Sequence, residues 1–169
     1  LLQYQALTNT QHIAKTMAST GIYAISNDRG EVKIVKPSFV TSYPKDKRLI
    51  TPEVSFPLGE DNFIVSEDKQ ALTHLAFEIN PEYAGLAAVQ GNGEGLFLLL
   101  TAEENMMTDE TVWEQSLFKL PSFPQQVDQL LLTPNLSKLF VRSGNDLLVY
   151  DVSETNNIHI TAALKINAT

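Results

Sequence analysis

The chain is apolar enough to build a core and acidic enough to exclude some classes of partner. Hydrophobic residues make up 43% of its 169 positions, which excludes a disordered segment and indicates one compact unit. Its 12 basic and 20 acidic residues give a formal net charge of −8, which argues against a broad cationic face for nucleic acid or anionic lipid. The absence of cysteine excludes disulfides, zinc-thiolate sites and thiol nucleophiles.

Short apolar runs separated by Pro, Asn, Asp and Gly predict an all-β chain, since no window keeps the period of a long amphipathic helix. The longest strictly apolar run covers residues 96–100, whereas a membrane-spanning helix needs about 20 residues. The first predicted hairpin joins residues 21–28 to residues 32–35 through a tight turn.

The next stretch, residues 38–68, is predicted to be a long connection or a distorted outer strand. Proline cannot donate a hydrogen bond to a sheet, and three prolines interrupt this stretch: Pro44, Pro52 and Pro57. They argue against a central strand at those positions.

Two four-stranded units follow. The second unit is predicted at residues 72–79, 85–90, 95–101 and 112–120. The third is predicted at residues 127–132, 138–142, 147–151 and 158–166. Between the last two strands of the second unit, residues 102–111 are rich in acid and are predicted to form a solvated loop or a single helical turn.

The units repeat along the chain. The turn prolines Pro81 and Pro134 lie 53 positions apart, and the equivalent Gly21 and Gly85 lie 64 apart. Such periods, with three or four short strands each, are typical of propeller blades. About three WD40-like blades are visible, fewer than the roughly four to eight that close a ring, so a partial propeller is predicted and a rearranged sandwich is the alternative. Residues 1–169 are predicted to form a single domain excised from a longer chain.

No residue pattern predicts a catalytic, cofactor or metal site. The three histidines, His12, His74 and His159, are far apart in sequence. His74 and His159 each lie inside a predicted strand, so ordinary strand positions are predicted and not a metal triad or a general base. The acidic residues 103–104 and 109–110 lack the glycine-punctuated spacing of a calcium loop. The glycine-rich residues 91–95 precede a strand, which indicates a hairpin turn and not a phosphate cradle.

The single basic cluster, residues 42–48, is the candidate site for docking a partner. An aromatic side chain accompanies its charges, and the candidate docking residues are Tyr43, Lys45, Lys47 and Arg48. The alternative interpretation is an ordinary solvated loop.

Three segments resemble a known family. They are residues 42–52 (SYPKDKRLITP), 55–60 (SFPLGE) and 70–78 (QALTHLAFE), and through them the chain resembles the enlarged phosphate ABC transporter permease subunits of the PstC type from gamma-proteobacteria. Members of that family carry a large water-soluble insertion after their first membrane helix, and the helices that form the phosphate path lie outside it. The resemblance therefore implies a periplasmic domain at the inner membrane that lacks the transport machinery. No phosphate-binding residue is carried over.

The leading expectation is a non-catalytic accessory domain in phosphate uptake that contacts the phosphate-binding protein or the partner permease. The first alternative is a free-standing interaction or sensing propeller of the cell envelope. The second is a metal-dependent, lactonase-like propeller enzyme, which would need several carboxylates and an Asn converging on the propeller axis.

Overall fold

The computed structural model describes residues 9–16 and 20–166 of the chain. These residues form thirteen β-strands and two single-turn 3₁₀ helices, and they contain no α-helix. The prediction of an all-β fold is confirmed. No helix in the described ranges has the length and apolarity needed to cross a membrane.

The strands form three successive antiparallel sheets. The first contains β1 (Thr10–Lys15), β2 (Tyr23–Asn27), β3 (Glu31–Ser42) and β4 (Leu49–Ser55), with the short β5 (Phe63–Ile64) paired to the start of β3. The second contains β6 (Leu72–Ile79), β7 (Tyr83–Gln90), β8 (Gly95–Asn105) and β9 (Glu110–Lys119). The third contains β10 (Gln129–Leu132), β11 (Lys138–Ser143), β12 (Asp146–Asp151) and β13 (His159–Lys165).

Apart from β5, which pairs with β3, the strands of each sheet follow the order of the chain, and no sheet closes on itself. The second and third sheets have their strands where the sequence predicts them, within a few residues at each end. The 3₁₀ turns Pro44–Asp46 and Thr155–Asn157 lie between the third and fourth strands of the first and third sheets.

The prediction for residues 38–68 is only partly correct. β3 continues to Ser42 and pairs along its outer half with β4, so the alternative of an outer strand is right for Leu49–Ser55 and the long connection is wrong there. Pro52 is tolerated because β4 is an edge strand, where a missing donor on the outer side breaks no ladder.

The prediction of a loop or helical turn for residues 102–111 is right only for residues 106–109. β8 and β9 continue as a paired hairpin as far as Asn105 and Glu110, and only residues 106–109 form the turn. The acidic residues are compatible with strand structure because this part of the hairpin is exposed to water.

Two cores lie between the sheets. Alternate residues of a strand point to opposite faces, so the second sheet can be covered on both sides. Ala24 and Ile34 of the first sheet pack with Leu86 and Leu98 of the second. On the other face, Phe97 packs with apolar residues of the third sheet that include Leu139, Val141 and Tyr150. The apolar run at 96–100 is thus explained by burial on two sides.

The first strands of the three sheets are neighbours, since β6 packs against both β1 and β10. The turns that join β2 to β3 and β7 to β8 lie at the same end of the molecule. Gly30 in the first turn sits so close to Ser66 that an added Cβ would lie 2.5 Å from the Ser66 Cβ, and Gln90 at the end of β7 donates a hydrogen bond of 2.8 Å to the Ser66 hydroxyl. The opposite end therefore carries the β3–β4 and β8–β9 turns.

Candidate functional site

The outer half of the β3–β4 hairpin projects from the first sheet. β2 pairs with β3 only as far as Val35, and from Lys36 onward β3 pairs only with β4. Every residue from 36 to 50 is exposed. We call residues 36–55 the docking arm. Because it is a two-stranded ribbon with both faces in water, its side chains are available to another molecule.

The docking arm exposes large apolar side chains. Phe39 is 72% exposed and Tyr43 is 67% exposed. Three more apolar residues on the arm are also exposed: Val40, Leu49 and Ile50. Single exposed apolar residues are normal on a protein surface, whereas a group of five on one hairpin is unusual and is typical of contact surfaces.

The end of the arm carries positive charge on an acidic chain. Lys45, Lys47 and Arg48 lie in and directly after the 3₁₀ turn, and none of their side chains forms an ion pair or hydrogen bond with a residue that the structure describes. Lys45 and Asp46 adopt left-handed backbone angles with φ of 52° and 64°, and the Lys47 N–H donates to the Pro44 carbonyl at 3.1 Å to close the turn. The turn holds the three cations outward at one end of the ribbon.

The structure therefore places all four candidate docking residues, Tyr43, Lys45, Lys47 and Arg48, at the end of one projecting hairpin. The sequence analysis missed the apolar residues on the two strands behind them. Their register puts Thr41 opposite Ile50 and Ser42 opposite Leu49. The sequence did contain a signal for this apolar surface, because an apolar pair lies on each side of the basic cluster, at residues 39–40 and 49–50.

A second hairpin projects from the second sheet at the same end. We call residues 101–114 the acidic hairpin, because they contain five acidic residues and no basic one: Glu103, Glu104, Asp109, Glu110 and Glu114. Its turn exposes Met106 by 94% and Met107 by 96%. Asn105 fastens the turn, since its carbonyl accepts hydrogen bonds from the N–H groups of Thr108 and Asp109 at 3.1 and 2.9 Å.

His74 and His159 lie on strands, as the sequence predicts, and His12 also lies on one, β1. The structure does not gather all three. His159 lies on the outermost strand of the third sheet, where its Nδ1 donates to the Asn157 carbonyl at 2.8 Å. His12 and His74, on two neighbouring inner strands, are close enough to interact electrostatically. Burial lowers the pKa of His74, and the charge of His12 lowers it further, against a smaller opposing effect of Asp128.

An open polar cavity of about 430 Å³ lies beside His74, between the second and third sheets. Asp128 is its acidic member, and its carboxylate already accepts a 2.7 Å hydrogen bond from the Gly144 N–H and lies 3.8 Å from the Arg142 Nε. Among the residues that the structure describes, no group of three or more His, Asp or Glu side chains is placed to hold a metal ion.

The outer face of the third sheet is apolar. Leu131, Phe140 and Val149 lie side by side on three adjacent strands. A cavity of about 290 Å³ lies on this face and is lined by Leu131, Phe140 and Leu147, together with Gln129 and Arg142. This face of the third sheet is equivalent to the face of the second sheet that carries Phe97 and packs against the third sheet.

A comparison of the chain with protein-family models and with curated protein sequences finds no match. The exposed surface of the chain is therefore the observation from which its function is inferred.

Proposed function

We propose that this chain is a non-catalytic accessory domain that binds other proteins through the docking arm. The observation that carries the proposal is the arm itself, a ribbon with five exposed apolar residues and three cations without ion-pair partners in the described structure. In the setting that the family resemblance implies, the domain belongs to a phosphate ABC transporter permease and lies at the periplasmic face of the bacterial inner membrane.

The free energy of the arm favours a partner. Apolar surface in water is unfavourable by roughly 25 cal/mol per Å², and the arm does not fold back to bury its own apolar side chains. Phe39 and Tyr43 are aromatic residues of the kind that anchor protein interfaces. The cations at the end of the arm make binding selective, because they favour a partner surface that is locally acidic.

The proposal that the domain is non-catalytic is based on the contacts of the titratable side chains near β1 and β6. His12 and His74 approach each other, and burial favours the neutral form of His74. The carboxylate that stands beside His74, that of Asp128, is engaged by the Gly144 N–H and by Arg142. Both side chains line the open cavity, but the Asp128 carboxylate is already held by these contacts, which are typical of a structural group.

Two of the three segments that resemble the permease family form defined structural features, and the third, residues 55–60, begins where β4 ends. Residues 42–52 form the end of the docking arm, and residues 70–78 lead into and form most of β6, the strand that packs between β1 and β10. The expected partners are the phosphate-binding protein and the partner permease, and the arm is the part of the domain positioned to reach them.

We further infer that the three sheets are successive blades of a β-propeller. Their first strands are neighbours, and each of the first two sheets faces the next with two alanines and one large residue in register. These rows are Ala14, Ala24 and Ile34, then Ala76, Ala87 and Phe97. Small residues on the inner strands allow adjacent blades to approach closely near an axis, while large residues fill the wider space farther out.

A structure of the intact transporter would test the propeller. It is expected to show β1, β6 and β10 around one axis, with a further sheet covering Leu131, Phe140 and Val149. A third sheet whose outer face remains in water in the intact protein would contradict the inference.

Photo-crosslinking in the intact transporter tests the docking arm. A photoreactive amino acid in place of Phe39 or Tyr43 is expected to crosslink to the phosphate-binding protein or the partner permease. The matched control is the same amino acid in place of Asn92, an exposed turn residue at the opposite end of the sheets. Crosslinks from Asn92 alone, or none from the arm, would contradict the proposal, and crosslinks only to other envelope proteins would favour the free-standing interaction propeller.

A further inference from the structure

The docking arm and the acidic hairpin carry opposite charges at the same end of the molecule. We propose that two copies of this chain form a twofold symmetric dimer in which the docking arm of each copy lies against the acidic hairpin of the other. The inference rests on the proposed function, because it takes the arm to be a docking element, and it adds a second copy of the chain to the partners that this arm binds.

The charges of the two hairpins are complementary. The end of the arm presents Lys45, Lys47 and Arg48, whereas the acidic hairpin presents its five carboxylates without any basic residue. Ion pairs of this kind select partners and fix their orientation, even where each exposed pair contributes little stability. In this chain, the acidic hairpin is a surface that offers the arm both the required charge and exposed apolar side chains.

The apolar parts of the two hairpins also suit each other. Met106 and Met107 are almost fully exposed, and Phe39 and Tyr43 are largely exposed on the arm. Methionine is flexible and makes favourable contacts with aromatic rings, so it adapts well to an aromatic surface. Contact between the two hairpins would remove both sets of side chains from water.

The position of the hairpins allows two equal contacts. Both connect the third strand of a sheet to the fourth, and the turns that precede these third strands meet at Ser66, through Gly30 and Gln90, at the other end of the sheets. Two copies placed end to end by a twofold rotation therefore bring arm against hairpin twice. A twofold arrangement is closed, so association ends at the dimer.

Charge reversal provides the test. In an arm-reversed variant the three cations become acidic: Lys45→Glu, Lys47→Glu and Arg48→Glu. In a hairpin-reversed variant three carboxylates become basic: Glu103→Lys, Glu104→Lys and Glu110→Lys. The molecular mass of each protein, alone and mixed, is measured by sedimentation velocity over a range of concentrations, with far-UV circular dichroism to confirm that the fold is retained.

The unmodified chain is expected to dimerise, and each variant alone to dimerise at least about tenfold more weakly, because both contacts become repulsive. An equal mixture of the two variants is expected to recover the dimer, since each contact again joins opposite charges. A second variant, Met106→Ser with Met107→Ser, keeps all charges and is expected to weaken the dimer through its apolar part.

A monomeric unmodified chain would overturn the inference, as would a dimer that is insensitive to charge reversal or a mixture that fails to recover. These outcomes are distinguishable from failure of the proposed function. An arm that crosslinks to a transport component while the chain remains monomeric removes only the dimer.

Discussion

The docking arm and the acidic hairpin occupy the same place in successive sheets, but they are anchored differently. The acidic hairpin continues β8, whose first residues, Gly95 to Leu98, are all buried between the second and third sheets or against the first. The arm continues β3, which becomes fully exposed at Lys36 and remains so to its end. Both hairpins therefore extend strands of the core, but β8 is buried or half-buried as far as Ala102, whereas the buried part of β3 ends at Val35 and a longer exposed ribbon follows it.

This difference shows that apolar sequence alone does not report burial. Residues 96–100 are buried because a neighbouring sheet covers each face of β8, and only Leu99 among them is partly exposed. Phe39 and Val40 are also apolar and also lie in a strand, yet no sheet covers them. A strand buries its side chains only where another element packs on it, and the arm has extended past that point.

Two phenylalanines on the equivalent strands give the largest expected contrast. Phe97→Ala removes a fully buried ring from the core between the second and third sheets, and it is expected to lower the free energy of unfolding by about 3–5 kcal/mol. Phe39→Ala is the matched control and is expected to change it by less than about 0.5 kcal/mol. Urea denaturation measures both, and comparable losses would show that the arm belongs to the core.

Two glycines on either side of the β7–β8 turn, Gly91 and Gly95, test how tightly this end of the second sheet is packed. A Cβ added to Gly95 would lie 2.4 Å from the ring of Phe123, so Gly95→Ala is expected to destabilise the fold by about 1–3 kcal/mol. At Gly91 the nearest atom would be the Ala71 carbonyl oxygen at 3.6 Å, an ordinary contact. Gly91→Ala is therefore expected to be close to neutral, and equal effects in thermal unfolding would contradict this packing.

Deleting each hairpin measures its contribution to the fold. Replacing residues 38–53 with Asn-Gly keeps the half-buried Val54 and is expected to change the free energy of unfolding by less than about 1 kcal/mol. The same replacement of residues 102–113 removes Trp113, which packs against the first core, and is expected to cost more than about 1 kcal/mol. Denaturant titration measures both, and a larger loss on deleting the arm would reverse the comparison.

The ion pair between Lys138 on β11 and Asp151 on β12 gives the smallest expected effect. It is expected to make the free energy of unfolding depend on pH. The hydrogen bond that Lys138 donates to Asp151 is the main reason why the pKa of Asp151 lies well below its usual range, and hydrogen bonds from Ser153 lower this pKa further. The ionised form is thus favoured in the folded state, so its stabilisation is complete above the unfolded pKa of about 3.9 and is lost as the pH falls further. Asp151→Asn is expected to be less stable than the unmodified chain at pH 7 by a margin that narrows toward pH 2.

Stability curves of both proteins across that pH range provide the check. The control is Asp109→Asn, which changes an exposed carboxylate in the acidic hairpin that lacks such partners. A margin between Asp151→Asn and the unmodified chain that stays constant with pH would contradict the role of the Lys138 hydrogen bond.

The second and third sheets are predictable from sequence because their signals are local. Apolar strands such as β7 and β11 end at Gly or Asn turns, and these turns fix where each strand begins and ends. The outer parts of β3–β4 and β8–β9 are not predictable in this way. Prolines and acidic residues usually mark loops, and they are accepted here because the strands concerned lie at edges in water.

The candidate site was also predictable only in part. Charge is a property of sequence, so Tyr43, Lys45, Lys47 and Arg48 were identifiable without a structure. The exposure of Phe39 depends on the sheet failing to extend beneath it, which no local pattern reveals. The opposite charge of the acidic hairpin was visible in sequence, but its position at the same end as the arm follows only from the order of the strands.

The two prolines of the docking arm limit how far any association can grow. Pro37 lies on one strand of the ribbon and Pro52 on the other, so each outer edge lacks a backbone donor. A strand from a neighbouring molecule pairs less well across such an edge, which disfavours fibril growth from the arm despite its apolar side chains. Recognition at the arm must therefore depend on side chains, a mode that can be specific, reversible and confined to a fixed number of molecules.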